Sequence, residues 1–193
     1  VIILPGPPGE LVPMFNESVR GFLKKYSDGA IVSHTVNIIG MGESSVAEEI
    51  EDMFDAKNPT VAPYAKSGEV RLRITAKAET ADEADKMCAP VVDEICSRLG
   101  DVVYGTDMNS IEERVVALLK EKGKKIATAE SCTAGYIPKR LTDIPGASEV
   151  FECGIVSYSN DIKTKLLGVS PKTLETYGAV SEQTAREMAL GAK

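Results

Sequence analysis

The stretch Thr128–Gly135, TAESCTAG, follows a short apolar strand pattern at 125–129 and precedes a helical pattern at 134–141. A strand that turns directly into a helix is the unit from which layered α/β domains are built. The stretch therefore predicts such a domain for residues 106–193. It also places Ser131 at the edge of a sheet, where open α/β sheets bind ligands.

Ser131 needs a base if it is to act as a nucleophile, because a serine hydroxyl is weakly nucleophilic at neutral pH. The single histidine, His34, lies in an apolar strand-like run far from Ser131 in sequence, where a structural role is expected. Lys163 follows a second strand pattern at 154–159 that can return to the same sheet edge. Ser-Lys pairs are recognised chemistry, and we predict that Ser131 and Lys163 form one.

Each of these residues also has a purely structural interpretation. Ser131 or Thr133 can serve only as a helix N-cap, and Lys163 can be an exposed helix lysine like Lys165. Tyr158 can orient a substrate carbonyl or be an aromatic residue of the core.

The neighbours of Ser131 leave further alternatives open. Glu130 can pair with Lys163 or face solvent. Cys132 competes with Ser131 as nucleophile, and the small residues at 133–135 allow a substrate to approach the backbone closely.

The composition is that of a globular chain with a mean hydropathy of −0.08. Its 22 basic and 29 acidic residues give a net charge of −7, which argues against general nucleic-acid binding. The longest clean apolar run, Val1–Leu4, is too short to span a membrane, and no signal-peptide pattern is present. A cytoplasmic location without a membrane partner is expected. Basic residues gather around the candidate site, either as solvated helix faces or as an attraction for an anionic substrate.

The cysteine and histidine counts exclude some classes of site. The four cysteines contain no C-x-x-C pair, and Cys88 and Cys96 are too far apart on one predicted helix for a disulfide. Free, mostly buried thiols are expected, and one histidine excludes a multi-histidine zinc site.

The chain divides into three pieces. Residues 1–29 predict a strand at 1–4, a proline-rich turn and an amphipathic helix. Residues 30–105 predict a β-α-β-β-α-β order, with strands at 31–39, 60–66, 69–78 and 101–104, which is a split-βαβ module. In that module Ser44 or Ser45 is the expected cap of the first helix, Ser67-Gly68 the hairpin turn, and Thr80 with Glu83 a capping box.

Residues 106–193 predict a helix capped by Ser110, then the strands and helices around the candidate site. Further helices are expected at 161–167, at 171–177 and from a Ser181 cap onward. An upstream domain and further sequence beyond residue 193 are also expected.

Four segments resemble the C-terminal domain of the CinA family, the competence/damage-inducible proteins and nicotinamide-nucleotide amidases. They are TAESCTAG at 128–135, FECGIVSYSN at 151–160 with Lys163, LGV at 167–169 and GAVSE at 178–182. Residues 30–105 look like the KH-type domain of that family. LPGPPGE at 4–10 resembles the tail of its molybdopterin-binding-like N-terminal domain. The resemblance implies a KH-like, ferredoxin-like module followed by an α/β/α CinA C-terminal domain, here shortened.

The resemblance also implies hydrolysis of the amide of nicotinamide mononucleotide to nicotinate mononucleotide and ammonia, a reaction of pyridine-nucleotide salvage. It implies Ser131, Lys163 and Tyr158 as catalytic residues, with no metal and no cofactor for this step. The residues implied to bind substrate are Glu130, Thr133, Gly135 and Asn160. Family members continue past residue 193 with a glycine-rich segment, and the pyrophosphatase activity of their N-terminal domain is not assigned to this chain.

Two other functions compete with the amidase. The middle piece can be a nucleic-acid-binding or nucleotide-binding module, but Gly40–Glu43 lacks the G-x-x-G spacing of a KH loop and ends in an acid. We expect no tight RNA binding. The middle piece can instead space the flanking domains and build a homodimer, and a homo-oligomer is expected.

Overall fold

The computed structural model describes residues 1–26, 28–66 and 68–193, with the backbone alone at Lys66. The chain forms two compact units, Val1–Asp107 and Met108–Lys193. None of the helices in these described ranges combines the length and the apolar character that crossing a bilayer requires.

The first unit begins with a helical segment that is exposed to solvent. It comprises α1 (Pro8–Met14), a π-helical turn at Phe15–Val19 and α2 (Arg20–Lys24). Pro8 suits the first position of α1, since proline lacks the N–H that would be unpaired there. The strand predicted at 1–4 is wrong, because no strand in the described part of the chain lies beside these residues to pair with them.

The rest of this unit is the predicted split-βαβ module. In chain order it contains β1 (Ala30–Ile39), α3 (Glu43–Glu49), β2 (Thr60–Lys66), β3 (Glu69–Ala78), α4 (Ala81–Leu99) and β4 (Val103–Thr106). The sheet order is β2-β3-β1-β4, and every neighbouring pair is antiparallel. The predicted turn at Ser67-Gly68 includes Ser67, which lies outside the described residues.

The core of the module lies between the sheet and its two helices. Alternation along β3 buries Val70, Leu72 and Ile74, while the residues between them face away from the core. From the helices, Val46 of α3 and Ile95 of α4 are completely buried against this sheet face. The period-2 and period-3.6 patterns of the sequence therefore meet in one layer of apolar side chains.

Helix capping explains where the module's elements begin. Thr80 and Glu83 exchange both hydrogen bonds of the predicted capping box at the start of α4. The predicted serine cap of α3 is wrong, because α3 starts two residues earlier with Gly42 at the N-cap. β4 begins at Val103 instead of residue 101, because a 3-10 turn at Gly100–Val102 precedes it.

His34 has the structural role expected from its sequence position. On β1, its Nδ1 lies 2.6 Å from Asp107 Oδ2 and its Nε2 lies 2.8 Å from Asp85 Oδ1 on α4. These hydrogen bonds, first to Asp107 and then to Asp85, raise the pKa of His34 above its ordinary value. The imidazolium thus joins β1 to α4 and to the residue that ends the unit.

The second unit is a small α/β layer structure. It contains α5 (Ile111–Glu121), β5 (Ile126–Glu130), α6 (Tyr136–Thr142), β6 (Phe151–Val156), α7 (Asn160–Leu167), α8 (Pro171–Tyr177) and α9 (Glu182–Ala192). β5 and β6 are parallel, with Ala129 opposite Ile155 and Glu130 opposite Val156. Ser110, Ser159 and Ser181 cap α5, α7 and α9.

Two apolar clusters hold these layers together. Val116, Leu141 and Val150 form one, and Leu167, Val169 and Met188 form the other. β6 occupies 151–156 instead of the predicted 154–159, because its pairing with β5 begins where Phe151 lies opposite Ile126. Residues 157–159 consequently lie beyond the strand, next to the candidate site.

Candidate functional site

The turn after β5 carries Ser131. The Ala134 N–H donates to Ser131 O at 3.1 Å, and the Tyr136 N–H donates to Thr133 O at 3.0 Å. Ala134 and Gly135 both have positive φ, +49° and +93°, and this conformation is unfavourable for a residue with a Cβ. The backbone therefore leaves the strand through a tight left-handed bend before α6 begins.

The helix-cap interpretation of Ser131 and Thr133 is wrong. α6 starts at Tyr136, two residues later than predicted, and its N-cap is Gly135. Neither hydroxyl makes a capping hydrogen bond to the helix. The Ser131 hydroxyl is thus available for another partner.

That partner is Lys163. Its side chain is buried, with 1% of its surface exposed, which rules out the exposed-lysine interpretation. Nζ lies 3.0 Å from Ser131 Oγ, and it donates to Ser157 O at 2.8 Å and to Tyr158 O at 3.0 Å. Within the described ranges, no carboxylate lies at ion-pairing distance from Nζ. The lysine is held by neutral oxygens alone.

Ser157 links the two strand ends, and the sequence reasoning missed it. It is fully buried, its N–H donates to Glu130 O at 2.8 Å, and its own carbonyl accepts from Lys163. Both interactions use the main chain, and the Ser157 hydroxyl adds a 3.4 Å hydrogen bond to the same Glu130 carbonyl. Because main-chain groups make the two links, the residue type alone did not indicate this position. Only the register of β5 against β6 could have indicated this position.

A cavity of about 670 Å³ opens beside the serine. β5 contributes Ala127 and Ala129 to its wall, the turn after β5 contributes Ser131, and α9 contributes Ala185 and Met188. Most of this wall is made of small apolar side chains, and the Ser131 hydroxyl supplies a polar group. Such a volume is typical of small-molecule sites.

The other predicted site residues are not all brought to this cavity. The Tyr158 side chain is 73% exposed, which excludes a core role, and its carbonyl is the group that contacts Lys163. Thr133 is exposed on the turn, and Gly135 supplies the left-handed bend. Asn160 lines a separate depression of about 380 Å³ between α7 and α8. Roles for these four residues in catalysis or substrate binding stay predictions.

Glu130 occupies neither environment that the sequence suggested. It is 4% exposed, so it does not face solvent, and it makes no ion pair with Lys163. Its Oε2 accepts from the Ile137 N–H of α6 at 3.3 Å. Its Oε1 is buried and has no hydrogen-bond partner among the described residues.

Several basic residues of the C-terminal unit form ion pairs with acids. Lys120 lies 2.7 Å from Glu149, Lys139 lies 2.5 Å from Asp143, and Arg140 pairs with Glu112. These ion pairs favour the interpretation that the basic residues lie on solvated helix faces, and they argue against a positive field that attracts an anionic substrate.

The cysteines are free, as predicted, but they are less buried than expected. Cys88 is buried, and burial raises the pKa of its thiol. Cys132 and Cys153 are exposed because they lie on a turn and on a strand that faces solvent. Cys132 also lines the cavity, so it stays the competing nucleophile.

Two family models match the chain in the order that the sequence predicted. The model for the KH domain of damage-inducible protein CinA matches residues 33–105, and the model for the CinA C-terminal domain matches residues 108–193. The chain belongs to the CinA family. The KH match coincides with the split-βαβ module, and the C-terminal match carries the Ser131–Lys163 pair.

Relatives support this assignment over the whole chain. A competence-damage inducible protein of Clostridium beijerinckii is 58% identical to this chain over 192 residues. The alignment covers 99% of this chain and 47% of that relative. A CinA-like protein of Desulfovibrio desulfuricans is 50% identical over 193 residues, 100% of this chain and 45% of the relative. The chain thus spans about half the length of the curated relatives it matches.

Among solved structures, the competence/damage inducible protein CihA from Agrobacterium tumefaciens aligns with a TM-score of 0.42 and 48% sequence identity. The alignment covers 42% of this chain and 50% of that one.

Proposed function

We propose that this CinA-family chain hydrolyses the amide of nicotinamide mononucleotide, with Ser131 as nucleophile and Lys163 as general base. The observation that carries the proposal is the 3.0 Å contact between Nζ of the buried Lys163 and Ser131 Oγ. The choice of substrate rests on the likeness of the motifs around these residues to those of the family's nicotinamide-nucleotide amidases.

The hydrogen bonds of Lys163 hold its amine against the nucleophile. Its Nζ donates to the carbonyls of Ser157 and Tyr158, which can only accept. Its third contact is the Ser131 hydroxyl at 3.0 Å. This is the distance over which a base takes a proton from a serine hydroxyl, and it supports the role proposed for Lys163.

The proposed reaction is an acyl transfer in two halves. Lys163 takes the proton of the Ser131 hydroxyl as Oγ attacks the carboxamide carbon. The tetrahedral intermediate collapses, the proton passes to the nitrogen, and ammonia leaves. Water then attacks the acyl-serine, with Lys163 again as base, and releases the carboxylate product.

The turn after Ser131 can stabilise the oxyanion of this intermediate. The backbone N–H groups of Cys132 and Thr133 donate to no acceptor within the described parts of the chain. Amides that follow a nucleophile in such a turn are a common source of oxyanion stabilisation. The wall of small side chains lets an aromatic carboxamide approach this backbone.

Three variants of the full-length protein test the proposal. Ser131→Ala and Lys163→Met, the latter close to lysine in volume, are each expected to lower ammonia release from nicotinamide mononucleotide by at least about 10³-fold. Lys165→Ala, which removes an exposed lysine from the same helix, is expected to retain activity.

Two results would contradict the assignment. Near-normal turnover in Ser131→Ala or Lys163→Met would show that the pair is not catalytic. Loss of activity in Cys132→Ala with retention in Ser131→Ala would transfer the nucleophile to the thiol.

A further inference from the structure

Glu130 lies on the opposite face of β5 from the nucleophile. Side chains alternate along a strand, and the cavity is lined by Ala127 and Ala129 of β5 and by Ser131 directly after it. Glu130 therefore points to the other face, where it reaches the Ile137 N–H at the start of α6. A side chain in this place cannot contact a substrate in the cavity without leaving its burial site.

The contact with Ile137 closes the turn that carries Ser131. Ile137 is the second residue of α6, and its N–H is one of those at a helix start that lack a partner within the helix. The Glu130 carboxylate supplies that partner from the end of β5. Strand end and helix start are thereby joined across the residues between them.

This turn requires such support. Ala134 has a Cβ and a φ of +49°, and Gly135 follows with a φ of +93°. A backbone in sparsely populated conformations persists only where the surrounding structure fixes it. Two backbone hydrogen bonds brace the turn from within, and the Glu130 carboxylate braces it from the strand.

The main chain of Glu130 also reaches the base. Its carbonyl accepts from the Ser157 N–H at 2.8 Å, and the Ser157 carbonyl accepts from Lys163 Nζ at 2.8 Å. Glu130 thus contacts the start of α6 through its side chain, and through its backbone it contacts the residue whose carbonyl accepts from Lys163.

The unpaired oxygen of Glu130 has a cost that an apolar side chain would avoid. Oε1 is buried without a hydrogen-bond partner among the described residues, and burying a polar atom in this way is unfavourable. A residue that only fills space beneath the turn would not need a carboxylate. What the carboxylate adds is the hydrogen bond from Oε2 to α6.

We propose that Glu130 is a positioning residue that holds Ser131 against Lys163, and that it does not bind the substrate. The inference rests on the proposed function for its meaning in catalysis. Whether the Glu130 carboxylate holds the turn that carries Ser131 can be measured without any amide substrate.

The first test measures the reactivity of Ser131 in the full-length protein with phenylmethylsulfonyl fluoride, followed by intact-protein mass spectrometry. Glu130→Ala is expected to be labelled about 10- to 100-fold more slowly than the wild type. Glu130→Gln keeps a side-chain oxygen for the Ile137 N–H and is expected to stay within about threefold. Glu112→Ala is the matched control, because Glu112 is also a buried glutamate that contacts α6, through Arg140.

Two further measurements separate positioning from other roles. Hydrogen exchange of the Ile137 amide is expected to be faster in Glu130→Ala and unchanged in Glu130→Gln. In steady-state hydrolysis of nicotinamide mononucleotide, Glu130→Ala is expected to lower kcat while KM stays within about twofold.

The possible outcomes are distinct. Four results would each overturn the positioning role. Glu130→Ala could be labelled as fast as the wild type, or Glu130→Gln or Glu112→Ala could be labelled as slowly as Glu130→Ala. The fourth is a Glu130→Ala enzyme with a raised KM and an unchanged kcat. If the labelling and exchange results hold but the wild type does not hydrolyse the nucleotide, the proposed function fails and the positioning role stands. An unreactive wild-type Ser131 would overturn both.

Discussion

Replacing Gly191 by alanine is expected to force α7 and α9 apart. A Cβ on Gly191 would lie 1.9 Å from Leu167 O and 2.7 Å from Leu167 Cα. Real Cβ contacts essentially never fall below 3.0 Å, so the two helices must separate by about 1 Å or more. Because the atoms of Leu167 in question belong to the main chain, no side-chain rotation relieves the contact.

The expected cost follows from two opposing effects. Overpacking of this kind costs about 1–3 kcal/mol, and a contact this short with a backbone atom belongs at the upper end. Alanine has a higher helix propensity than glycine, which offsets about 1 kcal/mol at most. The free energy of unfolding of the C-terminal unit should therefore fall by about 2 kcal/mol. Since α7 also carries Lys163, the proposed amide hydrolysis should fall as well.

Urea unfolding of the full-length protein measures this change, and hydrogen exchange of the α7 and α9 amides reports on the two helices directly. Gly21→Ala in α2 is the matched control, because a Cβ there meets nothing within 4 Å. It should leave stability unchanged or raise it slightly. A Gly191→Ala variant as stable as the wild type, with the control as expected, would refute the close approach of the helices.

Three further predictions concern pH, packing and nucleic acid. Hydrogen bonds to Asp107 and then Asp85 raise the pKa of His34, so its stabilising charge is complete below the ordinary value of 6.5 and is lost as pH rises through the raised one. The urea midpoint of the N-terminal unit should fall as pH rises from 6.5 through the raised pKa of His34, and the fall should be smaller in His34→Gln. An equal fall in the variant would contradict this role of His34. Gly154→Ala should lower the free energy of unfolding by about 1–2 kcal/mol, since the new Cβ would lie 2.9 Å from two side-chain atoms of Pro138. An unchanged urea midpoint in this variant would argue against such close packing. The protein should not shift single-stranded RNA in a gel at micromolar concentration, and a salt-dependent shift would count against that expectation.

Elements with strong local signals were predicted from the sequence with accurate bounds. β2 and β3 match residue for residue, since alternating apolar residues and a following turn define them. α8 and α9 match because proline at the first position and a serine cap mark their starts. These signals act within a few residues, so they can be read without knowledge of tertiary structure.

Elements defined by pairing were placed less well. β6 starts three residues earlier than predicted, because residues 151–153 become a strand through their pairing with β5. The start of α6 was missed by two residues, since Ala134 adopts a left-handed conformation that its sequence does not announce. Tertiary contacts decided both cases.

In the candidate site, too, local chemistry could be predicted from the sequence and tertiary contacts could not. The side chains of Ser131 and Lys163 were predicted from their chemistry, and the distance between them is that of a hydrogen bond. The burial of Lys163 and its contacts with two carbonyls were not predictable, because the partners are main-chain atoms. The same holds for Ser157 and for the contact from Glu130 to the backbone of α6.

The geometry of the pair follows from the register of two parallel strands. Glu130 lies opposite Val156, so Ser131 and Ser157 leave the sheet side by side at its carboxyl edge. α7 starts at Asn160, and a helical side chain leans toward the N-terminus of its own helix. Lys163, one turn into α7, therefore extends back toward that edge and meets the carbonyls at 157 and 158 together with the Ser131 hydroxyl. A one-residue shift of β6 against β5 would move both carbonyls and leave the buried amine without its acceptors, so the register of this short sheet is as necessary to the pair as the two side chains themselves.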